Sequence, residues 1–203
     1  MSSELSSSPG KVVVISGPSG VGKSTVCDEL VRAPGFRRVV TCTTRCAREG
    51  ERDGEHYHFL DEDEFEARVE RGEFLEHAEV HGKRYGTPRD EVENVVRSGL
   101  CPILAIDVQG AAQLRAQVAS GSDLLLAENL VTIFLMPPDA TELRRRLSRR
   151  GTDDRDAMER RLAEAEEEIA QRSDYDHVVV NDDLGRAVGE ILDLVRAARE
   201  RAR

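Results

Sequence analysis

Long apolar runs are missing from this sequence, and none approaches the length that a membrane-spanning helix needs, so we expect no membrane partner. The first residues, MSSELSSS, have neither a basic start nor an apolar stretch, which favours a disordered tail over residues 1–10 rather than a signal peptide. Cysteines are few, and the four present form no disulfide framework. Reduced thiols and a cytoplasmic location are therefore expected.

Positive charge is also in short supply. The chain has 29 lysines and arginines against 39 acidic residues, which gives a formal net charge of −10. Nucleic-acid binding surfaces are usually basic, so this balance disfavours nucleic acid as a partner. An acidic chain that binds anionic ligands must concentrate its positive charge locally, which makes Arg45 with Arg48, and the arginine-rich run 144–150, candidate binding residues.

Residues 17–24 read GPSGVGKS, the pattern GxxxxGKS of a nucleotide phosphate-binding loop, directly after the apolar run VVVIS. Such a turn lets backbone N–H groups point at phosphate oxygens, and the helix that follows adds the positive end of its dipole. Lys23 is expected to bridge the β- and γ-phosphates, and the Ser24 hydroxyl to ligate the accompanying Mg²⁺. The nucleotide contacts predicted in this segment are Gly17, Pro18, Ser19, Gly20, Val21, Gly22, Lys23, Ser24 and Thr25.

Short apolar runs alternate with polar segments of helical pattern, which predicts an α/β fold with a parallel sheet flanked by helices. The runs are residues 12–16, 103–107, 131–135 and 177–180. Between the first helix and residue 103, short runs punctuated by glycine predict an antiparallel insert with a helix over 61–71 capped by Asp61. The highly charged segment 139–172 predicts a mobile helical lid broken near Gly151. A last helix is expected from Leu184 to about Glu200.

The insert carries residues suited to a phosphorylated second substrate. Arg45 and Arg48 are three residues apart, and Tyr57 and Tyr85 follow; two guanidiniums and two phenols suit a phosphate monoester. Glu76 is a candidate base reader. A carboxylate that accepts two hydrogen bonds matches the N1–H and N2–H₂ edge of guanine, whereas adenine presents an acceptor at N1.

From Lys11 to about Arg196 the sequence resembles the guanylate kinases. The segments that carry the resemblance are SGPSGVGKST, TTRCAREGERDGEHYHF, GEFLEHAEVHGKRYGT, IDVQG, MPP, LSRRGTDD and VVVNDDL. The resemblance implies a P-loop NTPase fold with an antiparallel nucleoside-monophosphate-binding insert and a helical lid. It implies a kinase that transfers the γ-phosphoryl of ATP to GMP, with Mg²⁺, in purine nucleotide recycling. The implied guanylate kinase domain, 11–203, divides into a core (11–40, 100–138 and 174–203), a GMP-binding insert (41–99) and a lid (139–173).

The resemblance also implies a role for individual residues. The GMP contacts would be Thr41, Arg45, Arg48, Tyr57, Glu76, Tyr85, Thr87 and Asp107. Lid arginines would swing onto the ATP phosphates, and Asn181 would lie near the adenosine. The implied catalytic residues are Lys23, Arg45, Arg146, Arg150 and Arg161. Phosphoryl transfer has a loose transition state with its charge on oxygen atoms, so we expect catalysis by positive charge and positioning rather than by a general base.

The sequence departs from the family pattern in three places. Ala105 stands where an acidic residue is often found two positions before Asp107, so Asp107 would serve alone near the magnesium ion. Ala47 replaces a proline before Arg48. The segment 118–129 is longer than in relatives, and we expect a surface connection that is neutral for chemistry.

Several alternatives stay open at this point. Cys42, Cys46, His56 and His58 could supply four zinc ligands, although small buried cysteines are the simpler interpretation. The glutamate-rich run 164–168 is interpreted as a solvated helix face. Other possible functions are a kinase acting on a ribose bisphosphate and an inactive scaffold module that binds phosphorylated peptides. The sequence does not indicate the oligomeric state.

Overall fold

The computed structural model describes residues 10–80, 82–148 and 155–201, in which strands alternate with helices over most of the chain. The elements are β1 (Val12–Ser16), α1 (Lys23–Leu30), β2 (Phe36–Arg38), β3 (Cys42–Thr43), β4 (His58–Phe59), α2 (Glu62–Glu70), β5 (Phe74–Val80), β6 (Lys83–Pro88), α3 (Arg89–Arg97), β7 (Cys101–Ala105), α4 (Val108–Ser120), α5 (Leu124–Asn129), β8 (Leu130–Met136), α6 (Ala140–Ser148), α7 (Arg155–Ala170), a 3₁₀ turn (Gln171–Asp174), β9 (His177–Val180) and α8 (Leu184–Glu200).

A parallel sheet in the order β2-β7-β1-β8-β9 forms the centre of the molecule. Its middle strand β1 is buried along its whole length, because helices cover both faces, and the four apolar residues of the run VVVIS all belong to hydrophobic clusters. Val13 and Ile15 belong to the cluster that includes α1 and α8, while Val12 and Val14 belong to the one formed with α3, α4 and α5. The predicted phosphate loop follows β1 at the carboxyl edge of the sheet, where ligands of open α/β sheets bind.

The insert is built on a second sheet in the order β4-β3-β6-β5. Its strands pair antiparallel except for β3 and β4, which are parallel, so the expectation of a wholly antiparallel insert was wrong for that pair. The connection 44–57 is long enough for the crossover that parallel strands require. Helix α2 begins as predicted, with the Asp61 carboxylate accepting from the Glu64 N–H, and its Phe65 ring stacks on Phe74 at 4.7 Å.

Two further regions differ from expectation. The edge strand β2 is not predicted by the sequence, and the segment 118–129, although mostly exposed as expected of a surface connection, contains a helix. It includes α5, whose Leu126 is fully buried and whose first turn is capped by Asp123. The same carboxylate pairs with Arg89 at the start of α3. This segment therefore ties α3, which packs through Val92 on the central sheet, to the end of α4.

Helices α6 and α7 of the expected lid pack on each other through Leu143, Leu147 and Ala165. They also lie against the phosphate loop, since a Cβ added to Gly20 would stand 2.8 Å from Leu147 Cδ2. The predicted break at Gly151 and the predicted catalytic Arg150 lie outside the described residues. None of the helices in the described ranges is long and apolar enough to cross a membrane.

Candidate active site

The phosphate loop has a backbone that side chains would not permit. Gly17 has φ 135°, and a Cβ there would overlap the Leu135 carbonyl of the neighbouring strand β8. Gly22 has φ 104°, and its Cβ would stand 2.6 Å from the Asn181 side-chain nitrogen. Positive φ and close approach together require glycine at both positions. The conformation of the loop thus requires these two glycines of the motif.

Lys23 begins helix α1 and reaches back over the loop. Its Nζ donates to the Gly17 carbonyl at 2.5 Å and to the Pro18 carbonyl at 3.2 Å. Ser24 and Thr25 lie exposed in the same first turn. The ammonium and the helix N-terminus therefore face one concave turn, an arrangement that suits a chain of phosphates.

The lid contributes two charges of opposite sign to the loop. Glu168 Oε2 accepts from the Ser19 N–H at 3.2 Å, and Arg161 Nη2 donates to Ser19 Oγ at 3.4 Å. Burial raises the pKa of Glu168. The interpretation of the run 164–168 as a solvated face was therefore wrong for Glu168. Its spacing of seven residues from Arg161, which places both on one helix face, is the sequence signal that could have indicated it.

Arg146 lies at the other end of the loop, beside Asn181. Its guanidinium donates to the Val21 carbonyl at 2.9 Å, to the Asn181 carbonyl at 2.9 Å and to Glu142 at 2.7 Å. Asn181 Nδ2 donates to the same Val21 carbonyl at 2.8 Å. Arg146 and Asn181, which were predicted separately for the ATP phosphates and the adenosine, are thus brought together, and Glu142 is a partner that sequence reasoning missed. Arg145 and Arg146 lower the pKa of Glu142 to about 2.

In the insert, three of the four predicted phosphate-binding residues lie together. The Arg45 guanidinium lies 5.3 Å from the centre of the Tyr57 ring, whose own centre is 6.1 Å from that of Tyr85. Glu51, also unpredicted, accepts two hydrogen bonds from Arg45 at 2.8 and 3.0 Å and one from the Arg48 N–H at 2.7 Å. Arg45 lowers the pKa of Glu51 to about 2. The Arg48 side chain is exposed.

Glu76 lies at the junction of the two sheets with only 4% of its surface exposed. It pairs directly with Thr87 across β5 and β6, and Thr87 Oγ1 donates to Glu76 Oε1 at 2.5 Å. Burial raises the pKa of Glu76 to about 7; the Thr87 hydrogen bond opposes this rise and the Asp107 charge adds to it. A buried carboxylate beside a hydroxyl is equipped to accept hydrogen bonds from a ligand.

Asp107 caps helix α4, with its Oδ1 accepting from the Gly110 N–H at 2.9 Å. Burial raises the pKa of Asp107, while the positive charge of Lys23 acts in the opposite direction. Asp107 therefore stands within electrostatic reach of both Glu76 and the phosphate loop. Thr41, half-buried just before β3, completes the residues expected around the base.

Metal ligands of protein origin are scarce. Across 10–80, 82–148 and 155–201, no three His, Cys, Asp or Glu side chains are grouped as they would need to be to hold an ion. Cys42 is buried and accepts from Arg68, and His56 Nδ1 accepts from the Arg52 N–H. These contacts give the zinc alternative no support. Magnesium keeps most of its ligands as water and phosphate, so a single hydroxyl such as that of Ser24 fits it.

Comparisons with known proteins agree over nearly the whole chain. A family model described as guanylate kinase matches residues 9–198. A guanylate kinase from Symbiobacterium thermophilum is 46% identical over 193 residues, covering 95% of this chain and 87% of that protein. One from Neisseria gonorrhoeae is 44% identical over 191 residues, covering 94% and 89%. The crystal structure of guanylate kinase from Anaplasma phagocytophilum has a TM-score of 0.77 at 37% identity, with 95% and 87% covered. A gluconokinase from Sinorhizobium meliloti, at 16% identity and TM-score 0.51, shares the fold alone.

Proposed function

Because the chain belongs to the guanylate kinase family and is an ATP:GMP phosphotransferase, we propose that the phosphate loop with the lid holds ATP and that the insert holds GMP. The observation that carries the assignment is the buried carboxylate of Glu76 with its Thr87 partner. Glu76 lies in the insert, against the first turn of α4. A role in purine nucleotide recycling in the cytoplasm is part of the proposal.

On the donor side, Lys23 would leave the Gly17 and Pro18 carbonyls for phosphate oxygens, which are stronger acceptors because they are charged. The loop N–H groups would bind the same oxygens. Ser24 would hold the Mg²⁺ that accompanies ATP. When bound, this ion would neutralise negative charge on the transferred group. Arg161 reaches the loop at Ser19 and would add a positive charge to the transferred phosphoryl.

On the acceptor side, Arg45 with Tyr57 and Tyr85 would orient the GMP phosphate. Glu76 and Thr87 would read the base, and Asp107 would stand between the base site and the loop. Lining up the attacking phosphate oxygen with the γ-phosphorus is then the main task of the site. That oxygen needs no general base, because a phosphate monoester with a second pKa of about 6 is largely ionised at neutral pH.

The alternative functions are disfavoured by particular residues. A ribose bisphosphate has no base edge for the buried Glu76 and Thr87 to read. An inactive scaffold module has no need of Lys23 reaching over the loop, or of Arg161 contacting it.

The test is a coupled assay of ATP with GMP, dGMP, AMP, CMP, UMP and a ribose bisphosphate. We expect turnover of GMP far above that of AMP, CMP and UMP. Replacing Glu76 by Gln, which turns one acceptor oxygen into a donor facing guanine's donors, should raise KM for GMP by about tenfold or more and leave KM for ATP within twofold. Equal losses for both substrates would contradict the assignment of Glu76.

A further inference from the structure

Gly110, in the first turn of α4, touches the buried carboxylate of Glu76. A Cβ built on Gly110 would overlap Glu76 Oε2 and stand 2.9 Å from Glu76 Cδ. The same Cβ would stand 3.4 Å from Asp107 Oδ1. Gly110 lies in a helix, where glycine is a poor residue, and its φ is not positive, so its backbone conformation does not call for glycine. Glycine is required here because the Glu76 carboxylate occupies the space that a side chain would fill.

The two oxygens of Glu76 have different surroundings. Oε1 accepts from Thr87 Oγ1, whereas no residue in the described part of the chain donates a hydrogen bond to Oε2. Oε2 is also the oxygen that lies against Gly110. Oε2, the oxygen to which no described residue donates, is therefore also the oxygen whose position depends on the absence of a side chain at position 110.

Strand β5 is held against α4 by hydrogen bonds between helix side chains and the strand backbone. Gln113 of α4 accepts from the His77 N–H at 3.2 Å and donates to the His77 carbonyl at 2.5 Å. Gln117, one turn further on, donates to the Leu75 carbonyl at 2.8 Å. These bonds fix the strand to the helix on both sides of Glu76, so a side chain at position 110 would displace the carboxylate rather than the backbone.

We propose that Gly110 is a specificity-determining residue that positions Glu76 Oε2 to read the guanine edge. The inference rests on the proposed role of Glu76 and extends it to a residue that need not touch the substrate. A methyl group at position 110 would displace Oε2 from the position in which the carboxylate meets the guanine donors. The phosphate loop and the Arg45 surface would keep their geometry.

The experiment compares Gly110→Ala with Gly189→Ala. Both glycines lie in helices, and a Cβ at Gly189 meets nothing within 4 Å, so the control carries the same change in helix propensity without the overlap. Gly110→Ala should raise KM for GMP by about tenfold or more while KM for ATP stays within twofold, since a misplaced charged acceptor loses its hydrogen bonds. Gly189→Ala should leave both constants unchanged.

A second pair of variants tests whether the effect passes through Glu76. Adding Gly110→Ala to Glu76→Ala should change KM for GMP by less than twofold, because the atom it displaces is gone. A Gly110→Ala chain that fails to fold while the double variant folds would support the same overlap.

An unchanged KM for GMP in Gly110→Ala, or an equal rise in KM for GMP and ATP, would overturn the inference. So would a full further rise in KM for GMP when Gly110→Ala is added to Glu76→Ala. Failure of both Gly110→Ala and the double variant to fold would also overturn it. Glu76→Gln separates this from the proposed function: if it spares GMP, the base-reading role itself fails.

Discussion

At the residue scale, three of the positive groups of the candidate site are held by other groups of the protein. Arg45 is held by Glu51, Lys23 by loop carbonyls and Arg146 by Glu142 and two carbonyls. If these residues bind substrate as proposed, binding would be an exchange of partners, in which a phosphate must outcompete a carbonyl or a carboxylate. Its net gain is the difference between the two interactions.

The raised pKa of Glu76, about 7, makes GMP use depend on pH. Guanine donors need the ionised carboxylate, so KM for GMP should rise as pH falls below about 7, and Glu76→Gln should lose this component of the pH profile. The phosphate of GMP titrates near pH 6 in both proteins and serves as the internal reference. Steady-state kinetics from pH 5.5 to 8.5 measure how KM for GMP depends on pH. Identical profiles for Glu76→Gln and the unaltered protein would contradict the prediction.

The same group links pH to stability. In the unfolded chain Glu76 loses its proton near 4.5, whereas the native state keeps it to about 7. The native state binds more protons in this window, so the contribution of Glu76 to the free energy of unfolding falls as pH rises from 4.5 to 7. Denaturant unfolding at several pH values should show that Glu76→Gln lacks this decline.

Lys23→Ala should cut kcat by about 100-fold or more and leave the thermal midpoint nearly unchanged, because the ammonium stabilises charge on the transferred phosphoryl. Lys83→Ala is the matched control, since Lys83 is an exposed lysine of the insert. Initial rates with circular dichroism melting provide the readout. A near-normal rate in Lys23→Ala would remove Lys23 from the catalytic set.

At the scale of elements, α7 contacts the phosphate loop where we propose that nucleotide binds, and we expect the two to compete. The Glu168 carboxylate accepts a hydrogen bond from the Ser19 N–H and places a negative charge beside the loop. Glu168→Gln should therefore tighten ATP binding severalfold, because a charge that repels phosphates is removed. Titration calorimetry compares it with Glu167→Gln, an exposed neighbour that should bind as the unaltered protein does. Weaker ATP binding in Glu168→Gln would contradict the competition.

Helix α5 depends on one carboxylate for both its cap and its link to α3. Asp123→Ala should lower the free energy of unfolding by about 1–2 kcal/mol through loss of the cap. Asp123→Asn keeps a capping oxygen and loses only the ion pair with Arg89, so its loss should be smaller. Urea unfolding measures both, and kcat should stay unchanged in each.

The sequence predicted elements whose pattern is local. The buried run before the loop, the capped helix α2 and the last helix were confirmed because apolar spacing and capping residues lie within the segments themselves. The edge strand β2 and the parallel pairing of β3 with β4 were missed, since strands of two or three residues acquire their pairing from distant partners. The contact between Gly110 and Glu76 joins positions 34 residues apart and has no local signature.

At the scale of the whole molecule, the two sheets meet where α4 is bonded to β5. The central sheet presents the phosphate loop and Asp107 at one edge, and the insert presents Glu76 to the same region. The polar residues of the site were largely predictable from motifs, but the roles assigned to them stay predictions. Their protein partners Glu51, Glu142 and Glu168 were not predicted, because any exposed glutamate has the same sequence appearance.

The described residues contain no cluster of metal ligands, and this predicts how the protein responds to chelation. Turnover should stop in EDTA and return with added Mg²⁺, because the ion enters with ATP. The thermal midpoint without nucleotide should not change, since no cluster of ligands in the described ranges would hold a structural ion. Differential scanning fluorimetry with and without EDTA measures this; a lower midpoint in EDTA would reveal a structural metal.

The paired contacts of α7 with Ser19 also give the lid a way to respond to occupancy. Both contacts are present in the same structure, the Glu168 carboxylate at the Ser19 N–H and the Arg161 guanidinium at the Ser19 hydroxyl. One helix face thus sets a negative and a positive group against the loop, two turns apart. We therefore expect a bound phosphate, which is an anion, to repel the first group and attract the second, so that the charge of the ligand would act on the position of α7 in two ways at once.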